Sequence, residues 1–140
     1  MSGFLLDTCV LSELRKPQPN AGLLDWVAAV DEGDLYLSVL TLAEIRSGIE
    51  SKVRGRERAA LETWLVSDLS SRFAGRILDF TSDVADRWGR LDGRERARGK
   101  RLPVVDAQIA ATALQANLTV VTRNVRDFVR TGVPVLDPWR

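Results

Sequence analysis

The sequence predicts an α/β fold: a three-layer α/β/α sandwich around a mostly parallel, roughly five-stranded sheet. Three observations carry this expectation. Short apolar or β-branched runs recur along the chain, at Phe4 to Leu6, Leu35 to Val39, Ile77 to Phe80, Leu118 to Thr122 and Val133 to Leu136. All are too brief for helices. Helical patterns separate them throughout, as crossovers between parallel strands require. The first run is apolar without alternation, the mark of a strand covered on both faces.

The elements follow in order. Phe4-Leu5-Leu6, flanked by Ser2-Gly3, stops at Asp7, and Thr8 to Leu14 reads as a short helix that Asp7 can cap. Lys16-Pro17-Gln18-Pro19 ends that helix, because a proline disfavours the helical region in the residue before it. Asn20 caps a second helix, with Leu23, Leu24, Trp26, Val27 and Val30 on its apolar face, before Asp31-Glu32-Gly33-Asp34 breaks the pattern. After the second strand, Thr41-Leu42-Ala43-Glu44-Ile45 opens a third helix in which Thr41 and Glu44 have capping-box spacing. Gly55 punctuates, and Arg58 to Leu69 continues helically on Leu61, Trp64, Leu65 and Leu69. Ser82 caps a long amphipathic helix carrying Val84, Ala85, Trp88 and Leu91, which dissolves around Gly99. Pro103 suits the first position of a helix reaching Asn117, whose Ala107, Ala110, Ala111 and Ala113 permit close approach to a sheet. Val125 to Arg130 forms a helical turn or two, and Pro134 assigns the last strand to an edge. No repeat, linker or low-complexity segment divides the chain, so residues 1–140 are expected to form one domain.

Composition then narrows the chemistry. Histidine is absent and Cys9 is the only cysteine. Ser-His-Asp and Cys-His catalysis are thereby excluded, together with the His/Cys ligand sets zinc prefers. A bound metal must be held by oxygen, which selects Mg²⁺, with Mn²⁺ as a substitute. With no secretory signal, no apolar run of membrane-spanning length and no possible intramolecular disulfide, a soluble cytoplasmic protein is expected. The net charge is +1, but it is unevenly spread. Asp86 to Arg101 holds seven basic against three acidic residues, and Lys52, Arg54, Arg56 and Arg58 stand against Glu57 alone. Such stripes can track a phosphate backbone; a solvated helix face is the commoner cause.

Four polar positions stand where a strand hands over to a helix: Asp7, Glu44, Asp106 and the pair Asn124/Asp127. In right-handed βα units these junctions share one edge of the sheet, so residues distant in sequence converge there. Asp106 joins them if the loop Ala97 to Leu102 returns the chain to that edge. Each position also has a structural explanation. Asp7 and Asn124 can cap, Glu44 can close a capping box, and Asp106 in a first turn favours the helix dipole. Together they are harder to explain this way. Two unit charges about 4 Å apart repel by about 4 kcal/mol at an effective dielectric of 20. Several carboxylates on one rim therefore call for a cation, and Mg²⁺ accepts one or two of them alongside water and substrate phosphate.

The segments Leu5-Leu6-Asp7-Thr8-Cys9-Val10-Leu11-Ser12-Glu13, Leu40-Thr41-Leu42-Ala43-Glu44-Ile45-Arg46-Ser47-Gly48, Asp106-Ala107-Gln108-Ile109-Ala110-Ala111-Thr112-Ala113 and Val121-Thr122-Arg123-Asn124-Val125-Arg126-Asp127-Phe128 resemble the four signature blocks of PIN-domain proteins. Their order and spacing resemble the VapC toxins. Phe73-Ala74-Gly75-Arg76-Ile77 and Val135-Leu136-Asp137-Pro138-Trp139 are similar to the FitB-like subgroup of these. The resemblance implies a Mg²⁺-dependent endoribonuclease that is the toxin of a type II toxin–antitoxin pair. It implies that Asp7, Glu44 and Asp106 form the acidic site. Asn124 stands where some relatives carry Asp, and Asp127 follows three residues later, so either completes the set. Asp7, Glu44, Asp106 and Asp127 are thus the candidate catalytic residues, and the same four with Asn124 the candidate metal ligands. The implied partners are an RNA substrate, a VapB-like antitoxin whose C-terminal segment covers the acidic pocket, and a second copy of the chain. Operator DNA would be bound only through the antitoxin.

Two rivals remain in view. An aspartyl-phosphate phosphotransferase also ends its first strand in Asp, but wants a second acid where Cys9 stands and a lysine that Thr122-Arg123-Asn124 lacks. A catalytically silent RNA- or protein-binding PIN-like module would keep its behaviour in an Asp7→Ala variant, whereas a toxin would cease to inhibit growth.

Overall fold

In the computed structural model, which describes residues 3–140, five strands form one fully parallel sheet in the order β3-β2-β1-β4-β5. Ser2, read as flanking the first strand, lies outside the described residues. The strands are β1 (Phe4–Leu6), β2 (Leu35–Ser38), β3 (Ile77–Leu78), β4 (Thr119–Val121) and β5 (Val135–Leu136). Leu5 pairs with Tyr36 of β2 on one side and Val120 of β4 on the other. The strand order therefore reverses beside β1, and a crevice opens at such a switch point. β5 is an edge strand, as Pro134 requires: its missing N–H is not needed, while its carbonyl accepts from Val120 N at 2.9 Å.

The helices are α1 (Thr8–Leu14), α2 (Ala21–Ala29), α3 (Val39–Glu50), α4 (Arg56–Thr63), α5 (Ser70–Arg72), α6 (Ser82–Ala97) and α7 (Val104–Ala116). Side chains alternate across the sheet, so each strand feeds two cores. Leu6, Leu35, Leu37 and Val121 point to one side, where Val10, Leu11, Leu23, Ile45, Ile49, Leu65, Leu69 and Phe73 cover them. Leu5 and Val120 point to the other, against Ile109, Ala110 and Ala113 of α7 and the ring of Phe128. The alanines let α7 lie close to the sheet. Trp26 and Trp64 pack half-buried on the first core, and Trp88 packs on Leu91, Leu102 and Ala107.

Several local expectations are corrected. The third helix starts at Val39, capped by the Ser38 hydroxyl, which accepts from Leu40 N at 3.0 Å. Thr41 is buried inside it and makes no capping bond, so the proposed capping box with Glu44 does not form. Thr81, not Ser82, caps α6, accepting from Val84 N at 3.2 Å. Pro103 occupies the cap position of α7 rather than its first turn. The helix expected over Arg58 to Leu69 starts at Arg56 and widens into a π-helical segment at Trp64–Leu69, a form in which each carbonyl bonds five residues on. In the run from Asp86 to Arg101, three of the seven cations, Arg90, Arg96 and Arg98, pair with Asp86, Asp92 and Glu95 of the same stretch.

Gly22 has a packing role in the first turn of α2. A Cβ there would lie 2.6 Å from the Pro138 carbonyl oxygen. The carboxy-terminal segment is drawn onto this turn by Asn20, whose Nδ2 donates to the Arg140 carbonyl and whose Oδ1 accepts from Arg140 N at 3.1 Å.

Candidate active site

The acids meet at the carboxyl edge of the sheet, and the elements that bring them there are the ones nearest the switch point. β1 ends at Leu6, and Asp7 after it turns the chain into α1 and is 4 % exposed. A carboxylate so buried needs donors. Its Oδ1 accepts from Thr8 N at 2.9 Å, and its Oδ2 from the Thr122 hydroxyl at 2.8 Å and the Cys9 thiol at 3.7 Å. Asp7 therefore does bond the start of α1, as a cap would, while its second oxygen reaches across to the end of β4. Burial raises its pKa above the ordinary carboxylate value; the bonds from Thr122, Thr8 and Cys9 oppose that rise, and the charge of Asp127 adds to it.

Thr122 is the keystone of this corner. It is wholly buried, follows the last residue of β4, donates to Asp7, and accepts from Asn124 N at 2.9 Å. Cys9 Sγ accepts from Arg123 N at 3.5 Å, which ties α1 to the same turn. The Cys9 thiol is pushed up by its own burial and by the nearby Asp7 charge, and stays protonated. Glu44 on α3 is half-buried, and its Oε1 accepts from the Thr8 hydroxyl at 2.6 Å. Thr8 thus serves two acids, Asp7 through its N–H and Glu44 through its hydroxyl.

Asp106 lies in the first turn of α7, brought to this edge by the loop after α6. Its carboxyl is pushed up to about 6, first by burial, then by the charges of Asp7, Asp127 and Glu44. Four carboxylates from four separate stretches of chain thus act on one another. Asn124 precedes a 3₁₀ turn, Val125–Asp127, but its side chain makes no capping bond; it is exposed, and its carbonyl oxygen accepts from Asp127 N. Asp127, not Asn124, adds charge to the cluster. Sequence reasoning left Thr8 and Thr122 unassigned. The only signal for them is position: Thr122 follows the last residue of β4, and Thr8 lies two residues past β1.

Oxygen is the only donor type the cluster offers. Among the described residues, no three acidic or cysteine side chains close on a single ion as they stand. After burial, the charges of Asp7, Asp127 and Glu44 push the Asp106 carboxyl up, and a bound divalent ion would offset that part of the rise.

The chain is similar to known proteins over nearly its whole length. Residues 4–134 match the family model for the PIN domain. The chain is 38 % identical over 135 residues to the toxin FitB of Neisseria gonorrhoeae, covering 96 % of this chain and 97 % of that one. It is 34 % identical over 135 residues to the VapC ribonuclease Y4jK of Sinorhizobium fredii, covering 96 % of each. Among solved structures, FitAB bound to an IR36 DNA fragment superposes with a TM-score of 0.89 at 36 % identity, over 98 % of this chain and 96 % of that one.

Proposed function

The chain belongs to the PIN domain family, and from that premise we propose that it is a Mg²⁺-dependent endoribonuclease, the toxin of a type II toxin–antitoxin pair. The observation that carries the reading is the convergence of Asp7, Glu44, Asp106 and Asp127 on the crevice beside β1, where their charges act on one another. The ribonuclease and toxin named among its relatives support the substrate class and the biological role.

Asp7 and Asp106 would hold the metal. Asp7 is fixed by its three donors, and Asp106, in the first turn of α7, feels the Asp7 charge. When bound, Mg²⁺ lowers the pKa of a coordinated water, polarises the scissile phosphate and neutralises the charge that grows on it. The remaining work falls to the protein. Glu44, oriented by the Thr8 hydroxyl, holds the attacking water and accepts its proton. The water oxygen bonds to phosphorus in line with the departing 3′ oxygen, which takes up a proton and leaves as a 3′-hydroxyl, so the downstream fragment keeps a 5′-phosphate. The Thr122 bond favours the ionised form of Asp7 and holds its carboxylate in place, a task that needs no histidine.

The same reading places the protein in the cytoplasm, as a homodimer, beside a VapB-like antitoxin that covers the acidic crevice and supplies the pair's grip on operator DNA. No helix among the described residues is long and apolar enough to cross a membrane. The test is RNA cleavage by purified protein, which is expected to stop with EDTA, return with Mg²⁺ or Mn²⁺, and vanish in Asp7→Ala. Cleavage that survives chelation overturns the scheme.

A further inference from the structure

Next to the acid cluster lies a cleft of about 650 Å³ whose wall includes Asp127. Its other charged side chains are all cationic: Arg101 from the loop before α7, and Arg126 and Arg130 from the turns after β4. All three are exposed, and none is paired with a carboxylate among the described residues. By contrast, Arg90 and Arg96 of α6 are matched by Asp86 and Asp92 of their own helix. Pro103 and Val129 give the same cleft an apolar surface, with Val129 65 % exposed. On the other flank of the cluster, Glu44 is surrounded by Leu40, Ala43, Ser47 and Val105, with no cation.

We propose that the Arg101–Arg126–Arg130 cleft holds the phosphate backbone of the RNA strand on the Asp127 side of the site, with unpaired bases resting on Pro103 and Val129. This rests on the ribonuclease reading above. Three unpaired guanidiniums along one groove match successive phosphates in charge and offer fork geometry to each. An apolar floor suits the faces of bases, since single strands are held by a charged track plus surfaces on which bases lie. The one carboxylate in the groove, Asp127, marks where the track meets the cluster that would hold the cation.

The experiment measures binding of a fluorescein-labelled uridine oligomer by anisotropy across a potassium chloride series, in an Asp106→Asn background that cannot cleave. Replacing Arg101, Arg126 and Arg130 together by Gln is expected to reduce the log–log salt slope by about 2, at roughly 0.7 per lost phosphate contact on a single strand. Arg126→Gln alone is expected to reduce it by about 0.7 and guards against misfolding of the triple variant. A control replacing Arg54, Arg56 and Arg94, which are equally without a carboxylate partner, removes the same charge elsewhere. An unchanged slope in the cleft variants, or an equal loss in the control, overturns the cleft assignment while leaving the ribonuclease reading intact. Tighter binding of polyglutamate than of RNA by the parent assigns the cleft to an acidic protein segment and overturns it too. If the parent binds no RNA and the unmodified protein cuts none, both readings fall together.

Discussion

Replacing Asp106 by Asn isolates the electrostatic strain of the metal-free site. Raising this carboxyl from 3.8 to about 6 corresponds to roughly 3 kcal/mol of unfavourable ionisation, at about 1.4 kcal/mol per pH unit. Asp106 is half-exposed, and solvent screening reduces the recoverable part to about 1–2 kcal/mol. Against this, Asn loses the attraction of a first-turn anion to the helix dipole, about 0.5 kcal/mol at such a site. No capping bond is lost, because α7 has no side-chain cap. The net gain of about 1 kcal/mol translates to a melting temperature raised by about 3–5 °C for a domain of this size. The sign of the pH dependence follows from the raised pKa. The folded state holds this proton more tightly than the unfolded chain. The contribution is thus favourable below about pH 4 and is lost as pH climbs through about 6. Thermal unfolding in EDTA followed by circular dichroism should therefore show the variant ahead at pH 7.5 and level with the parent near pH 4. Millimolar Mg²⁺ should narrow the gap at pH 7.5 by stabilising only the parent. A variant that melts lower at pH 7.5, or with the same offset at both pH values, refutes the assignment of an ionisation cost to Asp106, set first by its burial and then by the neighbouring acids.

Two further variants probe the groups that support the acids. Thr122→Val removes the hydroxyl donor to Asp7 and the acceptor of Asn124 N inside a buried corner. Urea unfolding should show a loss of about 1–3 kcal/mol, and the acid limb of the pH–rate profile should move upward, because the bond it deletes favours the ionised carboxylate. A limb that stays in place would separate Thr122 from Asp7. Thr8→Val deletes the hydroxyl that orients Glu44 but keeps the N–H on Asp7. Cleavage should fall by about tenfold or more, the usual scale for a group that orients a site residue, with substrate affinity retained. An unchanged turnover removes Glu44 orientation from the mechanism.

The chain's linear order was enough to establish the α/β class, the edge position of β5 and the place of Asp7 just past β1, because strand length, helical periodicity and proline are local properties; Glu44 instead lies in the second turn of α3, and Asp106 follows a helix and loop rather than a strand. The absence of histidine confined any metal to oxygen ligands before a single contact was known. Local signals failed where several residues compete for one role. Ser38 outcompeted Thr41 for the start of α3, and Thr81 outcompeted Ser82 for α6, because a cap is decided by backbone direction as well as by side-chain type. Only the tertiary structure could bring Thr122 onto Asp7 across 115 positions, choose Asp127 over Asn124 as the charge felt by the cluster, and gather Arg101 with Arg126 and Arg130. These depend on strand order, and order is set by which faces bury one another, a property of the whole chain that no window of sequence contains.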